Sequence, residues 1–424
     1  TPKPSSAASD VYKRQVKDAL EMDNYKNLKT VFHKSPDGQR AAEAEYISRF
    51  SSPAALHWDF TVGKHQLFAV LTAEIQSLLE QVWRTELRIS HKWSTLPGVA
   101  GSHYLTGLLI EEIKATNQIE GVHSTRKEIA EALTRPSTGP HKRFREMVAF
   151  YESLLNPNDR PEFPRTPASL RAEYDKLLAK EIDEADRPDG QLFRARTVEI
   201  HDGMKGVHKA PLGEDNIEER MRTFLDTQQD ETHVLINALV GHFIFEYTHP
   251  FYDGNGRMGR FLLAFKALEV LSPPTSTSLS HQFSLQRKKY YAAFVETENA
   301  MNYGEGTFFL KAILEMLIDA QNDLETSLDQ KHSQLRSLQE VLSSVNRDEY
   351  ERDLLFLAAQ AFLFSPELPF PLKEAVSAMG RSWNTVRPVA ERLEAEGLIQ
   401  SASKRPLTLE LTSQGREYLR LSEY

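Results

Sequence analysis

The sequence predicts a mainly α-helical protein with one β-hairpin near its middle and a small helix-and-hairpin module at its end. Three observations carry this. Apolar residues recur at helical intervals over most of the chain. The period drops to two between about residues 191 and 211. The last 75 residues read helix, helix, turn, helix, hairpin, the order of a winged helix-turn-helix. At 424 residues the chain is too long for one ordinary core, and two or three domains are expected.

The elements follow in order. Residues 1–15 include the polar stretch Ser5-Ser-Ala-Ala-Ser-Asp-Val-Tyr-Lys-Arg-Gln15, which reads as a disordered start or as a translated sequencing adapter foreign to the fold. From about Ala41 to Leu133 the pattern is mostly helical. The run from Gln66 to Glu80 and the run from Leu105 to Ile113 both space apolar residues for a helix. This N-terminal helical region is bounded at 41–135, because Arg135-Pro-Ser-Thr-Gly-Pro140 is a turn-rich break. A second helical region, 143–340, contains the predicted hairpin: Phe193, Ala195, Thr197, Val198 and Ile200, then Asp202-Gly203, then Gly206 to Pro211. Helices return at Asn216–Leu225 and Thr232–Tyr247, and again after a loop at Ser272–Ser278. Residues 350–424 form the terminal module, with helices at Arg352–Phe364, Leu372–Met379 and Ser382–Glu396 and two strands around a Lys404-Arg405-Pro406 turn.

Bulk properties narrow the function. The net charge of −9 argues against a protein that coats nucleic acid through a basic surface. The chain has no cysteine, so disulfides, thiol catalysis and Cys-ligated zinc are excluded. No apolar run approaches the roughly 20 residues of a membrane helix, and no secretion signal is visible, so a cytoplasmic protein without membrane contact is expected.

One segment carries chemistry: His249-Pro-Phe-Tyr-Asp-Gly-Asn-Gly-Arg-Met-Gly-Arg260. A helix ends just before it and another starts near Asn255. Gly254 and Gly256 let backbone amides approach a ligand. The new helix offers unpaired N–H groups and a partial positive charge, which together make a phosphate cradle. Arg257 and Arg260, three residues apart, can neutralise further phosphates. Asp253 is an oxygen ligand suited to Mg²⁺ bridging a polyphosphate. His249 is the group here that can take a proton near neutral pH. The constellation predicts a Mg²⁺-nucleotide site with a histidine base.

The segment resembles the Fic family signature, His-Pro-Phe-x-Asp/Glu-Gly-Asn-Gly-Arg-x-x-Arg, at every fixed position. The resemblance extends from about Ala41 to Leu338. It implies a Fic-type helical bundle with a β-hairpin flap over the active site, and transfer of AMP from ATP to Ser, Thr or Tyr hydroxyls of target proteins and of the chain itself. His249 would be the general base. Gly254, Asn255, Gly256, Arg257, Met258, Gly259 and Arg260 would hold the phosphates, and Asp253 would hold Mg²⁺. Phe251 would anchor the loop in the core and Pro250 would set its entry. Tyr291, in Lys289-Tyr-Tyr-Ala-Ala-Phe294, would line the nucleotide pocket. A phosphate-transferring relative has Lys at the position of Gly256, so AMP transfer is preferred. The hairpin residues Val198, Ile200, Gly203, Lys205 and Val207 would pair with the target strand to strand. Ile200-His-Asp-Gly departs from the family's usual Ile-Gly-Gly, which leaves the target unspecified.

Thr116-Asn-Gln-Ile-Glu-Gly121 resembles the family's inhibitory motif through Thr116, Glu120 and Gly121. Read alone it is a surface glutamate at a helix end. Beside the catalytic motif it implies that Glu120 forms a two-pronged ion pair with Arg260 and blocks the γ-phosphate site. In the terminal module, Arg381, Asn384 and Arg387 would face DNA from the recognition helix, with Lys404 and Arg405 in the wing. Glu391, Glu394 and Glu396 balance that charge, so a protein-docking or dimerisation role competes with DNA binding. A homodimer is a further expectation. Two other functions stand beside AMP transfer: removal of AMP by the same fold, and a DNA-binding regulator whose nucleotide site senses ligand.

Overall fold

The computed structural model describes residues 25–134, 143–178, 180–197, 199–201, 206–209 and 213–421. The expected leader at 1–15 lies outside them, as do Val198, Gly203 and Lys205. The chain divides into two compact units.

The first unit runs to Leu71 and includes Glu296–Phe308. Helix α1 (Leu28–Lys34) is capped by Asn27, whose side chain accepts from the Thr30 N–H. Helix α2 (Gly38–Phe50) follows. Strands β1 (Ala55–Val62) and β2 (His65–Val70) form an antiparallel hairpin. Arg49 is buried and pairs with Glu305 at 2.9 Å, with its guanidinium stacked over Tyr25.

The second unit contains Thr72–Val295 and Phe309–Tyr424. Its helices are α3 (Ala73–Ser94), α4 (Gly98–Ile119), α5 (Arg126–Thr134), α6 (Arg145–Leu155) and α7 (Pro167–Leu178). A short hairpin, β3 (Glu199–His201) and β4 (Gly206–Lys209), pairs Ile200 with His208. Then come α8 (Glu214–Gln229), α9 (Val234–Thr248), α10 (Asn255–Ala267), α11 (Pro273–Ser276), α12 (Leu279–Leu285), α13 (Arg287–Glu298) and α14 (Thr307–Ser344). The chain closes with α15 (Glu349–Phe364), β5 (Phe370–Pro371), α16 (Leu372–Met379), α17 (Trp383–Ala395), β6 (Ile399–Lys404), β7 (Leu407–Leu411) and α18 (Ser413–Tyr418).

Helices α9 and α10 form the centre of this unit. Nearly every residue of α9 and all of α10 are buried, so these two helices are enclosed on all sides rather than amphipathic. Helix α4 lies against α12 and α15. The buried Glu112 carboxylate accepts from the Ser280 backbone N–H (2.9 Å) and hydroxyl. The Ala100 N–H donates to Gln360 at 3.0 Å. In the terminal segment, α17 buries Val386, Val389, Ala390 and Leu393, the i, i+3, i+4, i+7 stripe of a core-facing helix. It packs by a three-stranded sheet of order β5-β7-β6. These elements follow the predicted order, with a short strand and a final helix added.

Three expectations need correction. Gln66–Val70, predicted helical, is strand β2, and the hairpin at 55–70 was not foreseen. Its buried Trp58, Phe60 and Val62 alternate along β1, a period of two that outweighs the helical spacing. Residues 191–197, predicted extended, are irregular. Their N–H groups are taken elsewhere, since Glu214 accepts from Gln191, Leu192 and Phe193, and Asp189 accepts from Ala195. The predicted loop at 272–278 contains α11, because Glu86 accepts from the Ser272 N–H and the Thr275 hydroxyl.

Candidate active site

Helix α9 ends at Thr248, and His249 caps it with φ 52° and ψ 65°, a left-handed backbone rare for a residue with a Cβ. Its N–H still donates to Phe245 O at 2.9 Å. The imidazole is half-buried, with Nδ1 3.4 Å from the Glu246 carbonyl. A proton on Nδ1 would be shared with that carbonyl and would leave Nε2 as the acceptor.

The loop turns back on itself through Asn255. Its Oδ1 accepts from the Phe251 N–H at 2.9 Å and its Nδ2 donates to Phe251 O at 2.8 Å. The Asn255 side chain therefore shapes the loop, while its backbone sits at the start of α10. Phe251 is buried and stacks on Tyr174, with ring centroids 3.7 Å apart, and the Tyr174 hydroxyl donates to Asp253 O at 3.1 Å. Gly254 precedes α10 at φ 80°, and a Cβ there would press on Leu178, so glycine is required twice over. Met258 is fully buried and fixes the helix in the core.

Both arginines of the motif are 2 % exposed and neither charge is left alone. Arg257 lies 3.3 Å from Glu181 and 3.3 Å from Asp253, whose side chain is 47 % exposed. Arg260 donates from Nη2 to Glu120 Oε1 at 2.7 Å, and from Nε to the Thr116 hydroxyl at 2.8 Å. The expected two-pronged pair with Glu120 is instead a single contact, because Nε is taken by the Thr116 hydroxyl and Nη2 is shared with Thr116 O at 3.1 Å. Thr116 stands one turn before Glu120 on α4, so both face the same point.

Glu120 closes α4, and Gly121 follows at φ 74°. Burial would raise the Glu120 carboxyl, but Arg260, His249 and Arg257 outweigh it and hold the group below the usual carboxylate range. Its carboxylate fills the space beside Gly256, where a Cβ would overlap it. An internal anion thus occupies the N-terminal end of α10, where helix amides and dipole favour negative charge. Gly259 packs as closely on Glu246. Burial pushes Glu246 up to about 8 and holds its neighbour His242 down to about 3, so it works against the charged form of each. Tyr291 lies within electrostatic reach of Glu120 and Arg260, with Arg287 over its ring at 5.5 Å.

The structure thus brings His249, Asp253, the 254–260 stretch, Tyr291, Thr116 and Glu120 into one region of the second unit. Of the hairpin residues, Ile200 and Val207 are described in their backbone only, within β3 and β4. Arg381, Asn384, Arg387, Lys404 and Arg405 are all exposed on α17, its leading turn and the β6–β7 connection, and Arg387 pairs with Glu391 at 2.8 Å. Sequence reasoning missed Arg194, Tyr174, Glu181 and Glu246. Among these only Glu246 lies near the motif in sequence, so no local pattern marks the others. No helix among the described residues is long and apolar enough to cross a membrane.

Residues 166–266 match the family model described as Fic/DOC family. The fold is similar to that of a Fic family protein from Desulfovibrio desulfuricans G20, at 20 % identity and a TM-score of 0.50, covering 81 % of this chain and 97 % of that one. Fic-1 (aa134–508) from C. elegans aligns at 14 % identity and a TM-score of 0.47, covering 75 % of this chain and 86 % of that one. A Fic domain containing signaling protein from Bacteroides thetaiotaomicron VPI-5482 aligns at 15 % and 0.40, covering 61 % and 97 %. The match over α7 to α10 and the shared fold identify residues 166–266 as a Fic/DOC family domain.

Proposed function

We propose that this chain transfers AMP from ATP to hydroxyl side chains of proteins and that Glu120 restrains it. A Fic/DOC domain implies AMPylation or a related nucleotidyl transfer at the level of the family. The observation that carries the finer reading is the Glu120 carboxylate itself. It sits on Arg260 and over Gly256, at the mouth of an amide-lined helix start. A carboxylate there stands in for a phosphate, and a triphosphate competes for the same arginine.

In this reading a target Ser, Thr or Tyr hydroxyl gives its proton to His249 Nε2 as its oxygen bonds to the α-phosphorus. The bond from that phosphorus to the bridging oxygen breaks, and pyrophosphate leaves. The amides at Gly254, Asn255 and Gly256 hold the α-phosphate, and Arg257 and Arg260 hold the β- and γ-phosphates. Asp253 suits Mg²⁺: it is a half-exposed carboxylate, and Mg²⁺ commonly takes one or two carboxylates plus substrate phosphates. Bound there, the ion would neutralise charge on the polyphosphate. Gly256 leaves no side chain in the path of the phosphates.

Purified chain, intact and as Glu120→Gly, is incubated with ATP, Mg²⁺ and a lysate, and adducts are read by mass spectrometry. AMP on hydroxyl residues, stronger in the variant, is expected. A variant that binds ATP yet leaves no adduct on itself or any lysate protein rejects the proposal.

A further inference from the structure

Arg194 is fully buried yet lies outside the catalytic motif. Its Nε donates to His249 O at 2.7 Å and its Nη2 to Thr248 O at 3.2 Å. Its own backbone N–H donates to Pro250 O at 3.1 Å. One residue thus grips three consecutive carbonyls centred on the histidine. Those of Thr248 and His249 stand at the C-terminal end of α9, where the helix dipole favours a cation. The remaining nitrogen, Nη1, donates to Arg196 O at 2.5 Å, which folds the guanidinium back onto its own segment.

A second bracket stands beside the first. The Tyr252 hydroxyl donates to Asp189 Oδ1 at 2.7 Å and accepts from the Arg196 N–H at 3.0 Å. Asp189 also accepts from the Ala195 N–H at 2.9 Å and from Arg196 Nε at 3.1 Å. Residues 194–196 are thereby fastened on both sides of Pro250-Phe251. They lead, three residues later, into β3.

We infer that Arg194 is a positioning residue for His249: it holds the histidine's left-handed backbone in place and ties it to the root of the β3–β4 hairpin. The inference rests on the reading of His249 as the base. A left-handed non-glycine persists only where its surroundings fix it, and the fork of a guanidinium is the side-chain geometry that can span adjacent carbonyls. Lysine offers one point of attachment and holds the loop partially; methionine fills similar volume and holds no carbonyl.

The test uses the full chain with the restraint removed, Glu120→Gly, carrying Arg194→Met or Arg194→Lys. Self-labelling with ATP should lose about 100-fold in kcat for Arg194→Met, the scale of an ångström of misplacement, with KM for ATP unchanged. Arg194→Lys should recover part of that loss. The ¹H–¹³C imidazole signal of His249, assigned by its loss in His249→Ala, should shift in Arg194→Met. An unchanged kcat with an unmoved imidazole signal overturns the inference. So does a parallel loss of kcat and ATP affinity in both variants, which marks general unfolding. If Glu120→Gly binds ATP but labels nothing, the reading of His249 as the base fails. The imidazole signal then decides by itself whether Arg194 sets the histidine's place.

Discussion

Two regions of this molecule carry arginines that the sequence marks for anionic partners, and they are built in opposite ways. In the 249–260 loop, Arg257 and Arg260 are 2 % exposed, and each is compensated by carboxylates brought from elsewhere in the fold. On α17 and the β6–β7 connection, Arg381, Arg387, Lys404 and Arg405 lie in solvent. A buried charge must be paired before any ligand arrives, because leaving it alone in a low dielectric is costly. Under the function proposed above, a phosphate would have to displace a partner at the loop, and the displaced partner would become a control point. At the surface, water and salt already screen the charge, so no competitor is required and none of comparable geometry is present among the described residues; the Arg387–Glu391 pair is a same-helix i, i+4 contact worth little.

The strongest way to break this contrast is at the base. His249→Ala should lower labelling by roughly 10² to 10⁴, the usual scale of a general base, read by labelled ATP on the Glu120→Gly chain. Persistent labelling there removes His249 from the role. The next effect tests pre-compensation. Glu120→Gly leaves Arg260 without its carboxylate, and stability without nucleotide should fall by about 2–3 kcal/mol, at or below the range for fully enclosed pairs because a quarter of the Glu120 side chain is exposed. ATP should restore much of the melting temperature. A melting temperature unchanged by the substitution would mean the pair carries no compensation.

A third test concerns Glu112, two turns before Glu120 on α4. Burial raises its carboxyl to about 7, against hydrogen bonds from Ser280 and the charge of Arg260. A folded pKa above the unfolded value means the folded chain binds the proton more tightly. Its contribution to stability is fully present below about pH 4.5 and is lost as pH rises through about 7. The stability difference between the intact chain and Glu112→Gln should therefore fall across that window and be flat on either side, as measured by denaturant unfolding. A difference independent of pH would place the Glu112 proton elsewhere. The smallest effect is expected at the surface. If α17 and the β6–β7 connection meet duplex DNA, Lys404→Glu with Arg405→Glu should weaken binding and reduce the salt slope by about one per lost phosphate contact, with no change in melting temperature. A chain that shifts no duplex at low salt removes the DNA reading and leaves protein docking.

Legibility varied with how local the cause was. The 249–260 segment was readable because its glycines, histidine and arginines act within one turn and one helix start. The α17 stripe of Val386, Val389 and Leu393 was readable for the same reason. The β1–β2 hairpin was misread because Leu67-Phe-Ala-Val70 is a continuous apolar run that fits a helix or a buried strand equally well, and only packing decided that Leu67, Phe68 and Ala69 would all be buried in a strand. Asn255 was expected to hold phosphate, and nothing in the sequence signalled that the fold uses its side-chain amide to close the loop on Phe251.

By itself the sequence determined the chemistry available: a titratable imidazole, an amide-rich helix start, two fixed cations and one accessible carboxylate, all inside a dozen residues. Only the tertiary structure decided how that chemistry is held. Arg194 reaches His249 across 55 residues, and Glu120 reaches Arg260 across 140. Such contacts depend on how whole helices pack, because a buried cation takes whatever carbonyl or carboxylate the folded chain brings within hydrogen-bond distance; Glu120 was legible only through the resemblance of Thr116, Glu120 and Gly121 to a family motif, and Arg194 not at all.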